Sequence, residues 1–116
     1  MILQDFYQTV GGNLSEVMSR LPSEALILRF LKMYPQDTSY TDLVKAFEEQ
    51  NVKNAFLAAH TLKGVAANLG MGDLQKTASA FTESVRNSDQ FGDPVLFENV
   101  KKAQENVLAQ LSQLSA

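Results

Sequence analysis

The 116-residue chain holds one histidine, at position 60, and no cysteine. The absence of cysteine excludes a disulfide framework, a thiolate metal site and a cysteine nucleophile. A single histidine excludes a poly-histidine metal site. What remains is one imidazole with Lys63 three residues on and Gly64 one turn on. In water an imidazole titrates near pH 6.5, so around neutrality most of it is an unprotonated nucleophile. It can take a phosphoryl group on nitrogen. The product is anionic, and an ammonium at i+3 can supply the compensating charge. The sequence offers no glycine-rich phosphate loop, no ATP-binding kinase motif and no carboxylate cluster for Mg²⁺. The chain offers no cofactor of its own for such a step, and Mg²⁺ and acidic groups would have to come from a partner.

Such an imidazole must stand outward, and the helical pattern around it says that it does. With His60 at zero on a helical wheel of about 100° per residue, Leu62, Ala55, Ala66, Leu69 and Ala59 fall between about 180° and 260°. Ala58 and Val65 sit beside them. That is the core stripe. The opposite face carries His60, Lys53, Phe56, Leu57, Lys63, Gly64 and Ala67. Glycine inside a helix costs about 1 kcal/mol relative to alanine. A side chain at Gly64 would be expected to crowd the imidazole, and Ala67 is small as well. Each feature has an ordinary explanation, since a lone histidine is commonly a plain surface or core residue and Phe56 and Leu57 could pack on the N-terminal segment. Their convergence on one face points to function.

The elements that hold this face are all helical in period. Leu3, Phe6, Tyr7 and Val10 form one stripe, ended by Gly11-Gly12. Asn13 can cap a short helix to Leu21, with Glu16 as reciprocal partner. Ser23-Glu24 opens a segment apolar almost all round, from Ala25 to Tyr34, which should be buried or covered. Pro35 breaks it, and Tyr40, Leu43, Val44 and Phe47 resume the pattern. A helix over 52–69 ends at Gly70. Asp73 should cap the next, and Asp93-Pro94 starts the last. No strand alternation, hairpin dipeptide or internal repeat appears. The expected fold is all-α: an antiparallel up-down four-helix bundle with helices over 23–50 (split), 52–69, 73–87 and 94–114. Residues 1–21 should form extra short helices capping one end, within a single domain spanning 1–116.

The segment from Ala59 to Gly70, AHTLKGVAANLG, followed by Leu74, closely resembles the signature of histidine-containing phosphotransfer (HPt) domains. His, Leu, Lys, Gly, Asn, Leu and Gly fall at the family's offsets. The likeness is strong over this helix and the next, and is one of pattern upstream. It implies a four-helix bundle whose exposed acceptor is His60. It implies shuttling of a phosphoryl group to and from the Asp of response-regulator receiver domains in two-component signalling. Lys63 would stabilise the phosphoryl group and Gly64 would keep the approach open. Asn68 reads as structural, bonding near the Gly70 turn. Many members orient the imidazole with Gln or Glu on the following helix; that position here is Thr82, whose hydroxyl is shorter, which leaves the role among Thr82, Glu83 and a water. Arg86 would extend the basic patch of Lys53 and Lys63, which suits an acidic receiver pocket and would mainly raise the association rate.

Two other classes compete. One is a helical docking module for a receiver or another signalling protein, without phosphorylation, using the same outer face. The other, a metal or cofactor bundle, needs inward carboxylates in Glu-x-x-His spacing, and Leu57 stands at that place before His60. A net charge of −3 and a pI near 5.0 disfavour nucleic acid. No run approaches the roughly 18 apolar residues of a membrane span. The N-terminus has no basic region before an early acid, so it does not read as a secretory signal. A cytoplasmic monomer is expected, with receivers and a hybrid histidine kinase as partners. Met1 and the capped N-terminal helices favour a free-standing protein.

Overall fold

The computed structural model describes residues 1–114. Among the described residues the chain is all-helical: α1 Leu3–Thr9, α2 Leu14–Arg20, α3 Glu24–Met33, α4 Ser39–Glu48, α5 Val52–Leu69, α6 Gly72–Val85 and α7 Pro94–Leu111, with a 3-10 turn at Tyr34–Gln36. α4 packs on α5, α5 on α6, and α6 on α7. The links over 49–51 and 70–71 are too short to do anything but turn each helix back along its predecessor. α5 lies between α4 and α6. It buries Ala55, Ala58, Ala59, Leu62 and Ala66, and these small side chains let its neighbours approach closely.

Local chemistry sets most boundaries. Asn13, Ser23, Asn51 and Asp93 cap their helices, each accepting a backbone N–H with its side-chain oxygen. Glu16 does not return the bond to Asn13; its carboxylate pairs instead with Arg20 at 3.3 Å. The expected split helix over 23–50 is two separate helices. Pro35 tightens the chain into the 3-10 turn, Asp37 is extended, and its Oδ1 accepts the Ser39 N–H at 2.8 Å to start α4. Asp73 is not the cap of α6. That helix begins one residue earlier, and the Asp73 N–H donates to the Val10 carbonyl at 3.0 Å. α6 stops at Val85, not 87, because Arg86 is extended and Asn87 has a positive φ of 54°. α7 ends at Leu111, short of 114.

The N-terminal helices brace the far end of α5. A helix leaves its last four carbonyls without intrahelical partners. Gly70, at φ 73°, turns the chain so that Met71 N–H reaches Ala66 O and Gly70 N–H reaches Ala67 O. Arg20 Nη2 donates to Ala67 O at 3.1 Å and Asn68 O at 3.4 Å, and the Tyr7 hydroxyl donates to Leu69 O at 2.8 Å. Every terminal carbonyl is thereby met, and a cation sits at the negative end of the helix dipole. The backbones touch here: a β-carbon on Gly12 would lie 2.0 Å from Gly70 O, and one on Gly72 would lie 2.1 Å from Gly11 O. Elsewhere Phe47 stacks on Phe97 at 4.2 Å, tying α4 to α7. Tyr34 donates to the buried Gln104 side chain.

Gly12→Ala should destabilise the fold by about 1–3 kcal/mol, because backbone rather than a flexible side chain must move; chemical denaturation measures it. Burial pushes the Tyr7 phenol from 10.0 up to about 12 and raises Tyr34 as well. Both are neutral acids held more tightly in the folded state. The unfolded chain therefore releases these protons first. Their contribution is whole below about pH 10; that of Tyr7 is lost as pH rises through about 12, and that of Tyr34 at higher pH still. Thermal melts across that range should show the decline, and Tyr7→Phe should shrink it while lowering stability at neutral pH.

Candidate functional site

The burial of the alanine stripe of α5 fixes what its other side shows. His60 is exposed near the middle of the helix. Lys53 is exposed, Lys63 half-buried, Gly64 exposed and Ala67 half-buried, all on the outer face where the wheel puts them. Among the described residues neither lysine makes an ion pair. A β-carbon on Gly64 would meet nothing within 4 Å. The expected crowding of the imidazole therefore does not arise from a β-carbon. Only a longer side chain would stand in the path of an incoming group.

The neighbouring helix contributes differently from expectation. Thr82 is fully buried, and its hydroxyl donates to Ala78 O at 2.7 Å, as mid-helix threonines commonly do. It is turned to the core and does not orient the imidazole. Among the described residues no side chain hydrogen-bonds His60. Glu83 is exposed and close enough that the charges of Lys63 and His60 act on it. Its carboxylate is held below the usual range, chiefly by hydrogen bonds from Arg86. Arg86 grips it with Nη2–Oε1 at 2.9 Å and Nε–Oε2 at 3.1 Å. Arg86 is therefore not an unpaired addition to the basic patch: its charge is already answered. The same guanidinium lies over the Phe56 ring, 5.1 Å from its centroid. Phe56 is half-buried and its ring runs nearly parallel to the imidazole, at 11° and 6.0 Å between centroids.

Asn68 also departs from expectation. Its side chain is exposed and makes no hydrogen bond among the described residues; only its carbonyl is engaged, by Arg20. It lines a groove of about 390 Å³ with Phe30, Met33, Val65 and Leu69. Phe30 and Met33 are apolar residues that were expected to be covered, yet they are 38% and 56% exposed. Leu57, on the His60 face, is 52% exposed and borders a second groove of about 430 Å³ between α4 and α5, with Lys45, Ala46, Ala58 and Thr61. Phe30 and Met33 were missed as surface residues. The all-round apolar character of residues 25–34 was the available signal, but periodicity could not say which side stayed uncovered.

A family model for the Hpt domain matches residues 2–116, essentially the whole chain. The chain belongs to the Hpt domain family. No curated protein and no solved structure matches it. As an Hpt domain it is a histidine-phosphotransfer module of two-component phosphorelays, a class that works with response-regulator receivers and kinases. No helix among the described residues of this Hpt domain is long and apolar enough to cross a membrane. No three His, Cys, Asp or Glu side chains among them converge to hold a metal ion.

Gly64→Ala should raise stability by about 1 kcal/mol and leave transfer untouched. Gly64→Gln should be as stable as the parent yet slow phosphoryl transfer about tenfold, equivalent to ~1.4 kcal/mol of barrier. Paired melting curves and rapid-quench transfer assays separate the two effects.

Proposed function

We propose that this Hpt domain carries a phosphoryl group on His60 between the aspartates of response-regulator receiver domains. The observation that supports it most is the exposed imidazole, unengaged by any side-chain hydrogen bond among the described residues, with Lys63 beside it and open space over Gly64. Attack by a ring nitrogen on the phosphorus of an aspartyl phosphate forms the N–P bond as the acyl O–P bond breaks. The carboxylate leaves, and the proton on the far ring nitrogen equilibrates with water. The reverse sequence returns the group to an aspartate. Lys63, half-buried at i+3, offsets the charge that arrives on His60.

The receiver supplies the Mg²⁺ and the acidic pocket. Leu57 and Ala67 give it an apolar seat around the imidazole, extended across the Asn68 groove by Phe30 and Met33. Lys53 and Lys63 steer an acidic partner. Arg86, paired with Glu83, adds little to that steering.

Incubation with a phosphorylated receiver should place acid-labile label on His60. His60→Gln should abolish the label and keep the helical circular dichroism spectrum, since the side chain is exposed and outside the core. Binding of the receiver without label would replace the relay reading by docking alone. Loss of helicity in His60→Gln would assign the residue a structural role instead.

A further inference from the structure

We infer that Phe56, pinned by Arg86, is the positioning residue for the His60 imidazole, fixing its plane by stacking where no hydrogen bond does so. The inference rests on the phosphoryl-carrier reading for its consequence, but the stack itself is a property of the unmodified protein.

An exposed imidazole can turn about its last side-chain bond, a broad torsion with weak preferences. A protein that uses it as a nucleophile must restrain that rotation or accept many unproductive orientations. On the next helix, Thr82 is fully buried and bonded to Ala78 O, and the Glu83 carboxylate is taken up by Arg86. The restraint visible here comes from the same helix. Phe56 precedes His60 by four residues, the spacing that lays one side chain over the next. The 11° angle and 6.0 Å separation fall within the range of offset aromatic stacking.

A lone exposed phenyl ring would itself be mobile. Phe56 is not alone: it is half-buried, and the guanidinium of Arg86, the residue just past α6, lies over it in cation–π contact. Glu83 in turn holds Arg86 by contacts of 2.9, 3.1 and 3.3 Å. The chain Glu83–Arg86–Phe56–His60 thus ties the imidazole plane to a second helix. Among the described residues neither ring nitrogen has a hydrogen-bond partner, so the plane is set while neither nitrogen is occupied. This separates orientation from tautomer choice, which a hydrogen-bonding carboxamide or carboxylate would couple.

Two measurements test the stack. In the unphosphorylated protein, the His60 ring protons should lie upfield of an unstacked histidine, shift back in Phe56→Leu, and recover in Phe56→Tyr. The ring nitrogen-15 shifts should report a tautomer mixture like that of imidazole in water. Unshifted ring protons in the parent protein would overturn the proposal, whatever happens to phosphate. In single-turnover transfer from a phosphorylated receiver, Phe56→Leu should lower the rate at saturating receiver about 3- to 10-fold, the range an aromatic pair supplies. The half-saturating concentration should hold, Phe56→Tyr should restore the rate, and Arg86→Gln should give part of the loss. A change in half-saturation alone would make Phe56 a docking residue and overturn the positioning role. An unlabelled parent protein with intact ring-proton shifts would instead sink the carrier reading and leave the stack standing.

Discussion

Helix α5 can bury only one side, and its alanines decide which. Ala55, Ala58, Ala59 and Ala66, with Leu62, are pressed between α4 and α6. Small side chains there allow the backbones to come close, so the helix cannot rotate without driving Phe56 or Lys63 into a space sized for methyl groups. The 3.6-residue period then carries His60 to the opposite side. The exposure of the imidazole is thus a packing result, enforced by residues buried between helices.

The rotation of α5 would still be loose if its end could fray. Tyr7 and Arg20, from helices that play no part in the outer face, meet the carbonyls of Ala67, Asn68 and Leu69. The glycine contacts of the 11–12 loop with Gly70 and Gly72 close the same joint at backbone distance. The N-terminal helices therefore act on the site from a distance, by holding the axial position of the helix that displays it.

Charge on the outer face is arranged by pairing as much as by count. Glu83 and Arg86 answer each other, which leaves Lys63 as the cation next to His60 and Lys53 two turns away. A carboxylate near an acceptor of phosphate would ordinarily repel it. Here that carboxylate is engaged by a guanidinium whose other contact is Phe56. The aromatic ring, the ion pair and the imidazole form one connected group spanning two helices.

Sequence alone determined the helical class, most caps, the α5 span and the outward face of His60, Lys63 and Gly64. Those features follow from periodicity and from side chains that bond within a few residues of themselves. It misread Asp73, Arg86 and Asn68, left the imidazole's orienting group open among Thr82, Glu83 and a water, and did not show that Phe30 and Met33 are uncovered. The Arg86 pairing is local, with Glu83 three residues back, but the others depend on a neighbour distant in the chain or on which side of a helix another element happens to cover. Thr82 and Glu83 are adjacent in sequence, yet one faces the core and the other stands exposed and paired with Arg86, a difference set by how α6 is rotated against α5. Which side of each helix is covered, and which distant groups meet, was decided only when the helices packed, because that depends on distances the chain acquires by folding.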